Sequence, residues 1–274
     1  MRIFHPVQAS SGKIRILIND ARDYPSMARA EIEDIDNFRR VIDFQLTYRP
    51  KKITGSRIAA IVGQNEYASE FKVACDIIGL YSEPSNKYTD AGNAIEPKIR
   101  QYLRENRDRY IGTSLGNGKL DVLDPIPAKE CNFEHFPQAA PFGGMVDGWV
   151  DIDGKHAAVL EIKTASRRDD WFDGNGGEIA PPNYILQTSL YCDLSGLDEI
   201  VFAVGFLEES DYDHPEDWEP NDGNFIVRTV KPVPMGEYKK QALEWYNRYI
   251  MRGVTPQWND CDKAVLDQIL EKRH

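Results

Sequence analysis

The stretch "GGMVDGWVDIDGKHAAVLEIKTAS", residues 143–166, decides how the fold is read. Two strand-like runs flank Asp153-Gly154, a dipeptide that favours the two-residue turn of a β-hairpin. Residues i and i+2 of a strand share a face, so Glu161 and Lys163 project together while Leu160 and Ile162 face the core. Asp147 stands on the preceding strand. A strict two-residue turn would set Asp147 opposite Leu160 and turn Glu161 to the other face. A site built on both carboxylates therefore requires an odd-length loop or a bulge in this hairpin. A carboxylate on each of two neighbouring strands, with a lysine beside one of them, suits hydrolysis of a phosphodiester. The carboxylates hold a hard cation such as Mg2+ through oxygen, and the cation binds the phosphate and lowers the pKa of a water. The lysine orients or deprotonates that water, or stabilises the developing charge. The backbone carbonyl of Ile162 is a further candidate ligand. The competing reading is a solvated cross-strand ion pair, because E-x-K arises by chance about once in a chain this long.

Outward from the hairpin, the order of elements predicts an α/β or α+β domain. "SSGKIRILIND" (10–20) reads as a strand and "SMARAEIEDIDNFRRVIDFQ" (26–45) as a helix. "ITGSRIAAIVG" (53–63) reads as a short helix capped by Thr54 or Ser56 and stopped at Gly63. "SEFKVACDIIGL" starts at Ser69 and stops at Gly79. "YTDAGNAIEPKIRQYLREN" is helical on both sides of Pro97, which belongs at a kink or a helix start. "PPNYILQTSLYCDLSG" predicts a helix ending at Gly196. "EIVFAVGFLEE" and "NFIVRTVKPV" read as strands, and "PMGEYKKQALEWYNRYIMRG" as a long amphipathic helix before a final short one.

The chain has 274 residues, 41% of them hydrophobic and 28% charged, the composition of a soluble globular protein. It shows no signal-like apolar block near its start and no run of the roughly 18 apolar residues that a membrane span needs, so no membrane partner and a cytoplasmic location are expected. Cys75, Cys131, Cys192 and Cys261 lie far apart, which argues against a zinc site or an iron–sulfur cluster and reads as buried free thiols. The net charge of −11 opposes a nucleic-acid partner at first sight. Eight of the acidic residues, however, fall in "EESDYDHPEDWEPND" (208–222), which reads as a solvated hairpin tip. Basic clusters at Arg49/Lys51/Lys52/Arg57, Arg100/Arg104/Arg107/Arg109 and Arg167–Arg168 leave room for a basic groove on an acidic protein.

Four motifs together resemble one family. "GGMVDGWVD…VLEIKTAS" is similar to the D…E-x-K core of the PD-(D/E)xK nucleases. "ITGSRIAAIVG" resembles a signature near the start of the YqaJ-type viral recombinase nucleases, which include lambda exonuclease. "AGNAIEP" (91–97) resembles that family's G…E helix, and "YILQTSLY" (184–191) its Y-x-x-Q helix. The four occur in the family's order, from residue 49 to about residue 205. The resemblance implies a restriction-endonuclease-like core, a central mixed β-sheet flanked by helices, over residues 49–274, with 1–48 an extension packed on it. It implies catalytic roles for Glu96, Asp147, Glu161, Lys163 and Gln187, and metal ligation by Asp147, Glu161, Glu96 and the Ile162 carbonyl. It places Tyr184 one helical turn before Gln187, matches Ser56 to a serine that binds a terminal 5′-phosphate, and sets Arg49 at the spacing of a second phosphate-binding group. Arg57 joins them as a DNA-binding cation.

The function implied is that of an Mg2+-dependent exonuclease, with Mn2+ substituting, acting on double-stranded DNA ends, 5′ to 3′, for recombination in a bacterial or phage-infected cell. The family's toroidal trimer and its single-strand annealing partner follow from the same resemblance. An endonuclease of a restriction or defence system on the same fold is the alternative, disfavoured because an interior cut needs no pocket for a terminal phosphate. A non-enzymatic DNA-binding protein on a decayed nuclease fold is a third reading, disfavoured by the intact set of charged residues.

Overall fold

A computed structural model describes residues 5–9, 12–17, 40–46, 49–65, 68–173, 175 and 177–271. The chain divides into two compact units. One comprises Met1–Ile53, Arg57–Glu83 and Gly236–His274, the other Thr54–Ser56 and Pro84–Met235.

The first unit holds a three-stranded antiparallel sheet of β1 (His5–Ala9), β2 (Gly12–Leu17) and β3 (Asp43–Gln45). β2 lies within the strand expected over 10–20. The helix expected over 26–45 fails at its end, where Asp43–Gln45 is strand; residues 26–39 lie outside the described ones. Phe44 N donates to Gly253 O at 2.7 Å, which explains the strand: Gly253, with φ +70°, lets the two backbones approach where a Cβ would stand 2.4 Å from the Phe44 oxygen. Helix α1 (Gly55–Ile61), whose first two residues are counted with the second unit, and helix α2 (Glu70–Ile77) follow. Ser69 caps α2 by accepting from Lys72 N at 2.9 Å, and Gly63 and Gly79, both with φ +71°, end the two helices as expected. Ser56 does not cap α1; it is its second residue.

The second unit opens with α3 (Lys87–Glu105), capped by Asn86, whose side chain accepts from Tyr88 N and Thr89 N. The helix runs through Pro97 rather than starting there. Ala91, Ile95, Ile99 and Leu103, four apart, form its buried stripe. A single turn, α4 (Arg107–Tyr110), leads to β4 (Leu120–Leu123), β5 (Gly148–Ile152) and β6 (Lys155–Ala165). Helix α5 (Pro182–Ser195) is the crossover to β7 (Ile200–Phe206); α6 (Glu209–Asp213) and β8 (Phe225–Val230) complete the unit. The sheet order is β4-β5-β6-β7-β8, with β6 and β7 parallel and the other pairs antiparallel. Leu160, Ile162, Val201 and Ala203 pack with the α3 stripe, while Val159, Phe202 and Val204 pack with Tyr191 and Cys192 of α5. This mixed sheet flanked by helices is the expected α/β core. β7, covered on both faces, is apolar at every position except Gly205 and buried throughout.

Strand β4 was not anticipated. It is an edge strand whose outward carbonyls are covered by arginines: Arg104 Nε donates to Val122 O at 2.7 Å and Arg107 Nε to Leu120 O at 2.8 Å. Arg109 pairs with Asp222 at 2.7 Å. The basic cluster that pointed to a DNA groove is thus largely spent on internal bonds. The acidic segment 208–222 is solvated at its acidic side chains, as expected, but it is anchored to the core. Tyr212 and Trp218 are buried, Lys98 Nζ donates to the carbonyls of Glu216 and Trp218, and Lys87 pairs with Glu209 and Asp213. The two charge excesses of the sequence partly neutralise one another. Back in the first unit, α7 (Gly236–Tyr249) and α8 (Lys263–Glu271) close the chain. Among the described residues no helix is long and apolar enough to cross a membrane. Cys75 and Cys192 are buried as expected, but Cys131 is half-buried and Cys261 exposed.

Candidate active site

The β5–β6 hairpin turns at Asp153 and Gly154, both at positive φ (52° and 77°), the backbone of a tight primed turn. From the turn, Ile152 pairs with Lys155 and Asp151 with His156, but Val150 pairs with Ala158. Ala157 is left over as a bulge. Beyond it Gly148 pairs with Leu160, which brings Asp147 to the level of Glu161 instead of Leu160. Counting residues from the turn required such an irregularity.

Four of the expected side chains meet there. Asp147 Oδ2 accepts from Ile162 N at 2.8 Å, so the first strand's carboxylate is locked onto the second strand. Glu161 is 3% exposed; its Oε1 accepts from Lys163 Nζ at 2.6 Å and from Gln187 Nε2 of α5 at 2.9 Å. Its other oxygen, Oε2, is buried without a partner. The ammonium of Lys163 lies 4.8 Å from the centre of the Tyr184 ring, which in turn stacks on Trp171. This is not a solvated surface pair. Burial raises the pKa of Asp147, against the Lys163 charge. Burial likewise raises that of Glu161, with Lys163 opposing and Asp147 adding. For Lys163 burial acts downward, but Glu161 and Asp147 outweigh it and hold the amine in its ammonium form.

Glu96 approaches from α3. Burial raises its pKa first and the Asp147 charge second, which sets it in the field of the other carboxylates. Its Oε1 is held by Arg100 Nη2, one helical turn on. Sequence reasoning counted Arg100 only in a basic cluster open to DNA, and missed its place here and that of His135. Arg100 Nε donates to Asp147 O at 2.9 Å. His135 Nδ1 accepts from Val146 N at 3.1 Å while its Nε2 meets Ile126 O at 3.0 Å, a pattern that places the ring proton on Nε2. The backbone entering Asp147 is therefore gripped from both sides.

The remaining expected residues are distributed as follows. Ser56 is exposed, its hydroxyl 3.2 Å from that of Thr54. Gly55 is pressed on α5: a Cβ there would lie 2.3 Å from Gln187 O, and its N–H donates to the Tyr191 hydroxyl at 3.3 Å. Arg49 is exposed in the first unit. Arg57 is spent internally, with Nη2 2.7 Å from Asp76 Oδ2 and Nη1 on Lys52 O.

Residues 45–198 match the model of the YqaJ-like viral recombinase domain, more than half of the chain. The chain belongs to the YqaJ-like viral recombinase family. The matched segment takes in all of the residues gathered around Glu161. This YqaJ-family chain is also 30% identical over 257 residues to the uncharacterized protein MG373 of Mycoplasma genitalium, covering 77% of this chain and 85% of that protein. Among solved structures it is similar to an alkaline exonuclease from Laribacter hongkongensis, at 20% identity and TM-score 0.47, over 74% of this chain and 93% of that one. A phage-related exonuclease from Haemophilus somnus 129PT gives 13% identity and TM-score 0.43, over 82% and 97%.

The donor set of this YqaJ-family site fits a hard divalent cation. Its candidate ligands are all oxygens, the three carboxylates and the Ile162 carbonyl, and Glu161 Oε2 is a buried acceptor without a hydrogen-bond partner. Glu96, Asp147 and Glu161 do not all lie within 4.8 Å of one another; among the described residues that spacing is met by His214, Glu216 and Asp217, all exposed.

Proposed function

We propose that this chain is a divalent-metal-dependent deoxyribonuclease that hydrolyses phosphodiester bonds from the ends of duplex DNA, 5′ to 3′, in recombination. The observation that carries the reading is the convergence of Asp147, Glu161 and Lys163 with an unsatisfied Glu161 oxygen among them. Asp147, Glu161 and Glu96 would hold Mg2+, with Mn2+ a substitute and the Ile162 carbonyl an added ligand. When bound, the cation supplies charge to the scissile phosphate and acidifies a water. Lys163, kept as an ammonium by its two carboxylates, offers its remaining N–H groups to a phosphate oxygen and stabilises charge that builds there. Gln187 keeps Glu161 in place, and the Tyr184 ring keeps Lys163 in place.

Arg49 and Ser56 are proposed to recognise a terminal 5′-phosphate. A single-strand annealing protein as recipient of the product, a ring trimer and a cytoplasmic location belong to the same proposal through family resemblance. The test compares linear with covalently closed duplex in Mg2+, with and without a 5′-phosphate. Linear, phosphorylated duplex is degraded and closed circles survive. Efficient cutting of closed circles would replace the proposal with an endonuclease.

A further inference from the structure

Resting on the nuclease reading above, we propose that Arg100 is a positioning residue of the site: it fixes Glu96 of α3 relative to Asp147 of the hairpin and so sets the spacing of the cation's ligands. The residue is buried, 9% exposed, and each arm of its guanidinium has a different partner. Nη2 takes Oε1 of Glu96, Nε takes the main-chain oxygen of Asp147 at 2.9 Å, and Nη1 takes Asp124 Oδ1 at 3.2 Å. A planar fork ties three elements in one plane; an ammonium, a compact point charge, does not.

Two of those partners are themselves candidate ligands. Arg100 uses one oxygen of Glu96 and leaves the other for a cation, and it uses the carbonyl rather than the carboxylate of Asp147. That is how an orienting side chain steers ligands without competing for the metal. The third partner, Asp124, follows β4 and also accepts from Arg104 Nη2 at 2.8 Å. The long segment between Glu96 and Asp147, which carried no motif, thereby becomes part of the site: β4 delivers the carboxylate that orients the guanidinium that orients Glu96.

The test uses the full chain and the variants Arg100→Gln, Arg100→Lys, Glu96→Gln and Asp124→Asn. Mn2+ binding to DNA-free protein is measured by calorimetry, and kcat and KM on linear duplex separately. Arg100→Gln should weaken Mn2+ binding by about 10–100-fold and lower kcat to a similar extent, the usual effect of removing a residue that orients a ligand. KM for DNA should change by less than about twofold, since uniform substrate binding is untouched. Arg100→Lys should restore only part of the loss. In a Glu96→Gln background the effect of Arg100→Gln should be less than additive, because both act on one ligand. Wild-type Mn2+ affinity and kcat in Arg100→Gln, with only a lower melting temperature, would reduce Arg100 to a structural pin and overturn the proposal. If Arg100→Gln does not fold, Asp124→Asn at the exposed end of the chain of contacts decides: weaker Mn2+ binding supports the proposal, and an unchanged affinity overturns it. A wild-type protein that binds Mn2+ but leaves DNA intact would sink the nuclease reading while the binding comparison still judges Arg100.

Discussion

Replacing Gly55 by alanine places one methyl group against the residue that holds Glu161. The added Cβ would lie 2.3 Å from Gln187 O, 2.7 Å from its Cγ and 2.9 Å from its carbonyl carbon. Ordinary contact begins near 3.4 Å, so the backbones must separate by about 1.1 Å (3.4 − 2.3). Two of the three atoms are main chain within a helix and cannot rotate away. Overpacking of this kind costs about 1–3 kcal/mol, and a clash with backbone belongs at the upper end. At roughly 2–4 °C per kcal/mol for a domain of this size, 3 kcal/mol lowers the melting temperature by about 6–12 °C. Helix propensity runs the other way, since alanine is favoured over glycine by up to about 1 kcal/mol, so a net loss is attributable to the contact. The third atom, Gln187 Cγ, ties stability to activity. Moving it disturbs the 2.9 Å bond from Gln187 Nε2 to Glu161, and kcat on linear duplex should fall with the melting temperature. Thermal unfolding and single-turnover hydrolysis measure the two effects. A variant that melts within a degree of wild type and turns over normally would refute the close approach of Gly55 to Gln187.

Asp147→Ala and Glu161→Ala should each abolish hydrolysis in Mg2+ while salt-sensitive DNA binding, measured by anisotropy, persists, because that binding rests on cationic side chains. Lys163→Arg keeps the charge but not the compact ammonium that fits between Glu161 and the Tyr184 ring; a loss of rate of at least about a hundredfold is expected in the same assay. Arg49→Ala should slow digestion of 5′-phosphorylated ends much more than 5′-hydroxyl ends, and equal slowing of both would remove Arg49 from phosphate recognition. In a thiol-labelling time course at pH 8, Cys261 should react first. Burial pushes the Cys192 thiol up to about 12 and the Cys75 thiol well above its ordinary value, leaving Cys192 about one part in ten thousand thiolate, so both should label only on unfolding.

The hairpin was legible because its signals are local. Asp153-Gly154 names its own turn, and the count of residues from there to Asp147 and Glu161 demands the bulge. The caps at Ser69, Gly79 and Gly196 are likewise written in single residues. β4 was not legible: four residues, Leu120–Leu123, carry too little periodicity, and what holds them is pairing with β5 together with Arg104 at the end of α3 and Arg107 of α4, which bond their outward carbonyls. The same arginines misled the charge reading, since a cluster facing solvent and a cluster bonded to strand carbonyls look alike in a sequence. Arg100 was hidden for that reason. Asp43–Gln45 took strand geometry because it pairs with β2 on one side and meets Gly253 and Val254, some two hundred residues away, on the other, and that pairing overrode local helical periodicity. Ser56 was misplaced by one turn position, the ordinary uncertainty of a helix start.

The unpaired Ala157 gives the hairpin an unusual relation to chain length. Removing one residue from a regular strand turns everything beyond it over, which destroys a site spread across two strands. Here the ladder already carries one residue too many. Deleting Ala157 would let Asp151 and Val150 pair with successive residues and would leave Asp147 level with Glu161. The shortened chain should keep its carboxylates on one side and lose only the local twist that a bulge adds. Inserting a residue at the same place should do the opposite, demanding a second irregularity or setting the two carboxylates back to back. The strand that bears the chemistry is thus one on which a deletion is milder than an insertion, an asymmetry set by arithmetic in the turn rather than by any property of the residue lost.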